Sequence, residues 1–213
     1  MVKHPAKFSN PILEVLKPFI AKYDKVLDPF GGVCRLKEIK PDIYSNEIEF
    51  EWAVQAKPAN AICGNALHLP YASETFDAIC TSCTYGNRMA DSHNAKDSSK
   101  RNTYTHTLGR KLHVDNSGHM QWGQKYRDFH RRAWRETDRV LKNNGIFFLN
   151  VSDHIRKWTA VDVTGWHFEF ISGELKYTHI ETIEIETQRQ RFGANSNLRS
   201  GYELLYIFQK TDY

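Results

Sequence analysis

The sequence predicts an α/β protein built on a doubly wound sheet of seven strands, the last two forming an antiparallel C-terminal hairpin. Three observations support this prediction. Short apolar strands alternate with helical segments in the N-terminal half, a long amphipathic helix then leads into a fifth buried strand, and two segments of alternating apolar residues close the chain. Such alternation is typical of parallel sheets with right-handed crossovers.

The helices and strands follow from local patterns. Asn10-Pro11 predicts a helix start, and Pro18 is expected to bend or end that helix. The predicted helices lie within residues 10–23, 33–40, 49–57, 124–141 and 164–173. The predicted strands lie within residues 25–32, 42–47, 60–65, 76–82, 143–152, 179–187 and 201–209. We expect the helix over 124–141 to give way to the fifth strand at Gly145.

Composition limits the class of protein. A chain of 213 residues with 40% hydrophobic residues is long and apolar enough for one domain, assigned to residues 1–213. It contains no apolar run that would span a bilayer and no signal-like N-terminus, so we expect a cytoplasmic protein that does not contact a membrane. The four cysteines do not form a disulfide framework and are expected to be thiols.

A polar insert over residues 86–123 interrupts the α/β pattern and is the predicted substrate-recognition loop. Residues 86–142 hold 13 Lys and Arg against 6 Asp and Glu, whereas the rest of the chain holds 16 against 19. This uneven charge predicts a nucleic-acid partner, although a solvated charged face would give the same count.

Two acids end neighbouring strands. Asp28 precedes Gly31 and Gly32, and Glu47 follows 19 residues after Asp28. Glycines let the backbone approach a ligand, and an acid after the second strand can accept hydrogen bonds from ribose hydroxyls. The loop lacks the GxGxxG pattern and a phosphate cradle, so the pattern favours a nucleoside cofactor without phosphates. A tight turn with a capping Asp28 is the alternative.

Several motifs in order carry a resemblance to a known family. They are "HPAKF", "LDPFGG", "SNEIEFEW", "GNALHLPYASETFDAI", "TSCTYGNR" and "WRETDRVLKNNGIFFLNVSDHIR". Together they resemble S-adenosylmethionine-dependent DNA methyltransferases of the exocyclic-amino type (N4-cytosine or N6-adenine), and small phage-type members in particular. The resemblance covers residues 4–156 and implies a Rossmann-like methyltransferase sheet, S-adenosylmethionine as cofactor and DNA as partner, in a bacterial or phage-infected cell.

The resemblance also implies a cofactor site. It places Lys7 and Phe8 at the methionine end, Asp28 with the glycines at the amino-acid moiety, and Glu47 at the ribose. Asn65 stands where the family commonly has an Asp that meets the adenine, and Cys34 stands where a third glycine is frequent. The expected cofactor-binding residues are Lys7, Phe8, Asp28, Phe30, Gly31, Gly32, Glu47, Ile48, Asn65, Ala66 and Leu67.

The expected catalytic residues are Ser82, Cys83, Thr84 and Tyr85. In the family the motif is Ser, Asp or Asn, then two prolines, then an aromatic residue. An exocyclic amine is a poor nucleophile because its lone pair is delocalised, so acceptors aimed at its N–H groups assist methyl transfer. Ser82 Oγ and the Cys83 carbonyl suit that role, and the Tyr85 ring suits stacking on a flipped base. Without the prolines, a stiffening restraint on the loop is missing.

Other mechanisms remain open. Cys83 could act as a nucleophile for methylation of cytosine at carbon 5, although the Pro-Cys pair usual there is missing. The Cys80-x-x-Cys83 spacing could indicate a redox pair or half of a zinc site, but a core cysteine is favoured. A metal cluster near His113 and Asp115 is disfavoured by irregular spacing, so no metal is expected. A decayed methyltransferase-like module that binds nucleic acid or protein is the non-enzymatic alternative.

The predicted reaction is therefore transfer of a methyl group from S-adenosylmethionine to an exocyclic amino group of a nucleic-acid base, expected in DNA. The target base, and a specificity partner or homodimer, are left open. The expected substrate contacts are Asn87, Arg88, Arg101, Tyr104, Arg110 and Trp122.

Overall fold

A computed structural model of the chain describes residues 2–56, 60–86, 103–187, 198 and 200–212. The strands are β1 (Val26–Asp28), β2 (Tyr44–Glu47), β3 (Ala61–Cys63), β4 (Phe76–Ser82), β5 (Leu141–Val151), β6 (His154–Arg156), β7 (Thr159–Val161), β8 (Thr178–Glu186) and β9 (Tyr202–Gln209). The α-helices are α1 (Asn10–Ile20), α2 (Phe50–Ala56), α3 (Tyr104–Leu108), α4 (Gln124–Val140) and α5 (Val163–Glu169). Short 3₁₀ helices cover Arg35–Glu38 and Ser117–His119, and a π-helical turn covers Phe170–Glu174.

Seven of these strands form one sheet in the order β3-β2-β1-β4-β5-β9-β8. The first five are parallel, β9 is antiparallel to β5, and β8 is antiparallel to β9. The strand order reverses between β1 and β4, which is where a doubly wound sheet opens a crevice at its carboxyl edge. The predicted seven-stranded sheet with an antiparallel C-terminal hairpin is confirmed.

The central strands are apolar on both faces, so helices cover both sides of the sheet. In β5, Phe147 and Leu149 pack into a core with α4 and α5, whereas Phe148 between them packs into a second core with α1. Successive side chains of a strand point to opposite faces, so a strand buried on both sides reads as a continuous apolar run. The amphipathic helix expected within residues 124–141 is confirmed: Tyr126, Phe129, Ala133, Thr137 and Val140, which share one face of α4, are all buried.

The end of α4 differs from the prediction. The helix ends at Val140, five residues before Gly145, and β5 begins at once with Leu141. Glu74 and Thr75 donate backbone N–H groups to the carbonyls of Arg139 and Val140, so the loop before β4 captures the helix end. The residues between Leu141 and Ile146 then bulge out of the ladder, where β4 residues Phe76 and Ala78 pair with those two positions.

α1 continues through Pro18 to Ile20, so of the two expectations for Pro18 the helix end is excluded. Two further local features differ from the sequence prediction. The predicted irregular insert contains α3 in its described part. An unpredicted antiparallel ribbon joins β6 to β7 through Lys157 and Trp158, whose φ angles of 49° and 66° suit a two-residue hairpin turn. Among the described residues, no helix has both the length and the apolar character needed to cross a bilayer.

Candidate active site

A cavity of about 690 Å³ opens beyond the carboxyl ends of the parallel strands. The loops that leave β1 to β5 line it, together with the start of the antiparallel strand β9. Its lining includes Asp28–Val33 after β1, Glu47 and Ile48 after β2, Gly64–Ala66 after β3, Ser82–Tyr85 after β4, Asn150 and Asp153–Ile155 after β5, and Glu203 on β9. Both its position and its size are typical of a ligand site in an open α/β sheet.

Asp28 lies at the base of this cavity as a buried acid. Its Oδ1 accepts hydrogen bonds from Thr81 Oγ1 at 2.6 Å and from the Phe30 N–H at 3.1 Å. Burial raises the pKa of Asp28 to about 7, although both hydrogen bonds act in the opposite direction. A cationic group in the cavity would favour the ionised form. The site is therefore suited to an ammonium.

Glu47 is a second buried acid, at the end of the neighbouring strand. Its Oε2 accepts from the Gly32 N–H at 2.9 Å and its Oε1 accepts from the Glu49 N–H at 2.8 Å. Burial raises the pKa of Glu47 to about 7, and the nearby Glu49 and Asp28 carboxylates act in the same direction. Each carboxylate oxygen has a second acceptor position, so Glu47 can fix the glycine loop and still accept from ligand hydroxyls.

The loop after β1 needs its glycines for two separate reasons. A Cβ at Gly31 would overlap Ser45 Oγ, so only glycine permits the close approach of the loop to β2. Gly32 has a φ of 55°, and its Cα faces the His4 ring. Cys34 has φ 51° and ψ 64°, a left-handed conformation that favours glycine, and its thiol is buried. This is the position where the family resemblance expected a third glycine.

Asn65 is held in a turn next to a carboxylate from the insert. Its Oδ1 accepts from the Leu67 N–H at 2.9 Å, and its Nδ2 donates to Asp115 Oδ2 at 2.9 Å. The carbonyl oxygen expected to meet an adenine is therefore already engaged. Asp115 and Ala66 line the cavity, whereas Leu67 packs into the core.

The remaining predicted cofactor residues border the same cavity. Lys7, Phe8, Phe30 and Ile48 all line it. The Phe8 carbonyl accepts from Arg35 Nη1 at 2.6 Å, which ties the N-terminal segment to the 3₁₀ helix after the glycine loop. The structure thus brings every predicted cofactor residue except Leu67 to one cavity.

Ser82 and Tyr85 form a hydrogen-bonded chain with residues of β5 and β9. Tyr85 Oη lies 2.9 Å from Glu203 Oε2, and Ser82 Oγ lies 3.3 Å from Tyr85 Oη. Asn150 Nδ2 donates to the same Glu203 oxygen at 2.6 Å. The Tyr85 hydroxyl is therefore tethered at the cavity wall.

The Thr84 carbonyl is anchored by a buried polar chain. Tyr126 Oη donates to the Thr84 carbonyl at 2.6 Å and lies 2.8 Å from His167 Nε2, while Trp134 Nε1 donates to His167 Nδ1 at 2.9 Å. Burial lowers the pKa of His167 well below its usual value, so the ring is neutral. Because an indole can only donate, Nδ1 is the acceptor, and the Nε2–H donates to Tyr126.

This tautomer of His167 also bears on the protonation state of the Cys83 thiol. The sulfur lies 3.5 Å from His167 Nε2 and 3.8 Å from Tyr126 Oη, within the core cluster. Burial raises the pKa of Cys83 to about 12. Since Nε2 already carries a hydrogen, His167 cannot take the thiol proton. The geometry therefore does not support Cys83 as a nucleophile, because a nucleophilic cysteine acts as a thiolate.

Comparisons with known proteins relate this architecture to one class of enzymes. A solved S-adenosylmethionine-dependent methyltransferase from Methanosarcina mazei matches with a TM-score of 0.59 at 12% identity, covering 98% of this chain and 100% of that one. The N-methyltransferase NodS from Bradyrhizobium japonicum matches with a TM-score of 0.55 at 12% identity, covering 94% and 93%. This chain has the Rossmann-like methyltransferase fold.

Matches to this methyltransferase fold are not limited to one activity. The 1,6-didemethyltoxoflavin N1-methyltransferase from Burkholderia thailandensis matches with a TM-score of 0.53 at 13% identity, covering 95% of this chain and 78% of that one. The [4+2]-cyclase SpnF matches with a TM-score of 0.58 at 12% identity. No family model matches the sequence, and no curated protein matches it. The fold is therefore shown by structure alone, and function must be argued from the site.

Three predicted substrate residues are described, and each has a structural partner. Arg110 pairs with Glu49 Oε2 at 2.8 Å and also with Glu51, so its charge is matched by two carboxylates away from the cavity lining. Tyr104 lines the cavity and packs against Trp52. Trp122 packs against Tyr126 and Trp166 outside that lining. Asn87, Arg88 and Arg101 lie outside the described residues.

The possible metal and redox groups have other roles. The Asp115 N–H donates to His113 Nδ1 at 3.1 Å. Within the described ranges, no three His, Cys, Asp or Glu side chains are arranged to hold a metal ion. All four cysteines are free, and Cys80 is buried in β4, as the core interpretation of the Cys80-x-x-Cys83 spacing predicts.

The polar residues of the cavity wall that sequence reasoning missed include Asp115, Asn150, His154 and Glu203. Glu203 lies 118 positions after the Tyr85 that it contacts. Asn150 sits in an apolar strand, and His154 begins a ribbon that the pattern did not show. The one local signal was a polar residue in the "FFLNV" strand, which would otherwise be apolar throughout.

Proposed function

We propose that this chain binds S-adenosylmethionine in the cavity and transfers its methyl group to a nitrogen that carries N–H bonds. The observation that carries the proposal is the meeting of two buried acids, Asp28 and Glu47, with the Ser82–Tyr85 strand end in one cavity of a methyltransferase fold. When bound, the cofactor supplies an electrophilic methyl group on a sulfonium.

The cavity residues suit such a cofactor. The Asp28 carboxyl would hold the α-ammonium, and the Glu47 oxygens would accept from the ribose hydroxyls. The backbone of Gly31 and Gly32, which lines the cavity, would lie against the amino-acid moiety. Asp115, beside Asn65, offers a carboxylate to the amino group of the adenine. The matched N-methyltransferase NodS has also been solved in complex with S-adenosyl-L-homocysteine, which is consistent with this use of the fold.

The acceptor end of the cavity favours an amine. Ser82 Oγ, the Asn150 side chain and the Glu203 carboxylate all line it. Hydrogen-bond acceptors held there would take the N–H groups of an amine and stabilise the positive charge that develops on nitrogen. Cys83 offers no thiolate for an attack on a ring carbon, so methylation at carbon 5 of cytosine is not proposed.

A nucleic-acid base is the first candidate acceptor, as part of DNA. The ribbon that carries Ile155 to the cavity wall also carries Arg156, Lys157 and an exposed Trp158. Trp158 is 68% exposed, and its left-handed φ of 66° is unfavourable for an aromatic residue. A basic ribbon with an exposed aromatic ring suits stacking on an unpaired base beside a phosphate backbone.

A small amine is the second candidate acceptor. The matched NodS and the toxoflavin-precursor enzyme are described as N-methyltransferases, and neither is described as acting on nucleic acid. The Glu203 carboxylate at the acceptor end would suit a compact basic amine.

One experiment separates these candidates and the non-enzymatic alternative. Methyl transfer from labelled S-adenosylmethionine would be measured on duplex DNA, single-stranded DNA, RNA, free deoxynucleosides and a set of small primary amines, with Trp158→Ala and the exposed-aromatic control Phe50→Ala beside the wild type. We expect label on an N4 or N6 amino group of an oligonucleotide, reduced about tenfold by Trp158→Ala, since one base stack contributes roughly 1–3 kcal/mol. Transfer to free nucleosides unaffected by Trp158→Ala would favour the small acceptor. Cofactor binding without transfer to any probe would refute the proposal and leave the decayed module.

A further inference from the structure

We propose that Ser82, Tyr85 and Glu203 form a proton relay that carries the proton of the methylated amine out of the reaction centre, with Glu203 as its terminal acceptor. This inference rests on the proposed amine methylation. It assigns a role to Glu203, a residue of β9 that no local motif indicates.

The direction of the relay follows from the chemistry of its members. A carboxylate can only accept, so Tyr85 Oη donates its hydrogen to Glu203 Oε2 across 2.9 Å. With that hydrogen committed, the Tyr85 oxygen can only accept from Ser82 Oγ, which lies 3.3 Å away. Ser82 then directs its lone pairs elsewhere, and its oxygen becomes the acceptor for an N–H in the cavity.

Asn150 holds the far end of the relay in place. It is 1% exposed, and its Nδ2 donates to Glu203 Oε2 at 2.6 Å. Its Oδ1 is also buried and finds no partner among the residues that the structure describes. A buried acceptor without a partner is costly.

The proton balance closes within these three side chains. The acceptor nitrogen forms its bond to the methyl carbon while the carbon–sulfur bond breaks, and that electron pair remains on sulfur. The nitrogen then loses a proton to Ser82 Oγ, Ser82 passes its own hydrogen to Tyr85 Oη, and Tyr85 passes its hydrogen to Glu203 Oε2. The positive charge of the sulfonium and the negative charge of Glu203 disappear together. Tyr85 never needs to ionise, which agrees with a pKa raised well above its usual value by burial and by Glu203.

The ionisable groups near Tyr85 are not suited to replace Glu203 as the terminal proton acceptor. The Asp153 Oδ1 already accepts from the N–H groups of Val163 and Thr164, each at 2.9 Å, at the start of α5. His154 lines the cavity, and burial lowers its pKa. Cys83 is a neutral thiol whose sulfur contacts Tyr126 and His167. Glu203 is therefore the carboxylate in contact with the Tyr85 hydroxyl.

The test compares three variants with wild type: Glu203→Gln, Tyr85→Phe and the double variant. The control is Glu184→Gln, which removes an exposed carboxylate from the neighbouring strand β8. Two quantities would be measured: the dissociation constant for S-adenosylhomocysteine by calorimetry, and the single-turnover rate of methyl transfer between pH 5 and 9, on the probe that the wild type methylates best. We expect cofactor affinity within about twofold of wild type in every variant. We expect each relay variant to lose at least about 100-fold in rate, the range of general acid–base catalysis.

The unchanged cofactor affinity and the double variant separate a relay from simple structural support. The double variant should be no slower than either single variant, because residues that act as a unit are not additive. Retention of the wild-type rate by Glu203→Gln would overturn the relay, as would additive losses. If Glu203→Gln does not fold, Tyr85→Phe still tests the relay, since it keeps the ring. A wild-type chain that binds the cofactor but methylates no probe would refute the proposed function, and the relay with it.

Discussion

Removal of one buried hydroxyl, in Tyr126→Phe, tests whether tertiary contacts fix the Ser82–Tyr85 loop, which we propose to be the catalytic loop. The ring of Tyr126 is fully buried between Trp122 and His130, so phenylalanine should keep the packing. The hydroxyl lies 2.6 Å from the Thr84 carbonyl and 2.8 Å from His167 Nε2. The substitution therefore removes the hydrogen bond to the partly buried Thr84 carbonyl and leaves the buried His167 Nε2–H with only the Cys83 sulfur, a weak acceptor, at 3.5 Å.

The expected cost follows from those two groups. Each stranded buried group costs about 1–3 kcal/mol, and partial relaxation brings the expected total to about 2–4 kcal/mol. For a domain of this size the melting temperature should fall by roughly 5–15 °C. Chemical denaturation with an unchanged m-value would measure the loss. The methyl-transfer rate should fall as well, while cofactor affinity stays unchanged, because Tyr126 contacts the catalytic loop and not the acids at the cofactor end.

A matched substitution supplies the control. Tyr71 has a buried hydroxyl with no partner in the described part of the chain, and its ring packs against Tyr44 and Phe76. Tyr71→Phe should be neutral or stabilise the fold by up to about 1 kcal/mol, since it removes an unpaired polar atom. Equal effects of Tyr126→Phe and Tyr71→Phe on stability would refute the reasoning about the polar chain.

Four other perturbations test the proposed cofactor end of the cavity and the residues that support it. The affinity for S-adenosylhomocysteine should rise between pH 6 and 8, because Asp28 and Glu47 have pKa values raised to about 7 and bind as carboxylates; a flat calorimetric profile would contradict this. The same raised values mean that the free protein loses stability as pH rises from about 4 to 7, so Asp28→Asn should unfold at higher denaturant concentration than wild type at pH 8 but not at pH 4. Arg110→Met should cost about 1–3 kcal/mol in urea unfolding, because it removes the cation from the buried Glu49 carboxylate, which keeps its hydrogen bonds from the His113 N–H and Asn116 Nδ2; an unchanged unfolding free energy would show that the pair is dispensable. Gly31→Ala should weaken cofactor binding at least tenfold by calorimetry, since its Cβ overlaps the neighbouring strand; unchanged affinity would show that the loop can shift.

The sequence was sufficient for the sheet because the sheet is specified locally. Apolar runs such as residues 146–149 mark strands buried on both faces, and Asp28 and Glu47 mark where two of them end. Parallel strands bring their carboxyl ends to one edge, so two distant acids could be assigned to one site without any knowledge of tertiary contacts. The end of α4 was misplaced because loop residues Glu74 and Thr75, far away in sequence, determine it.

The acceptor side of the cavity was not predictable in the same way. Glu203 belongs to an antiparallel strand whose start, rather than its end, reaches the carboxyl edge, and its partner Tyr85 is 118 positions away. The role of Arg110 was not predictable either. A basic residue in a polar insert suggests a phosphate contact, and only the structure shows that Arg110 pairs with Glu49 and Glu51. Charge counts along a sequence do not include such pairings.

The loop that contains Cys83 and Thr84, where the resemblance led us to expect two prolines, shows why a local motif can mislead when it is considered alone. Prolines would restrain this loop through its own backbone, whereas here the restraint is supplied by distant side chains: Tyr126 on the Thr84 carbonyl, and Ser117 at 2.8 Å from Thr84 Oγ1. Rigidity that depends on packing must come from residues that are themselves fixed, and Tyr126 is held by His167 and the surrounding rings. The order of the Ser82–Tyr85 loop therefore depends on the packing of Tyr126 and His167 in the core. Substitutions in that core should affect methyl transfer at a distance, which a chain with two prolines would resist.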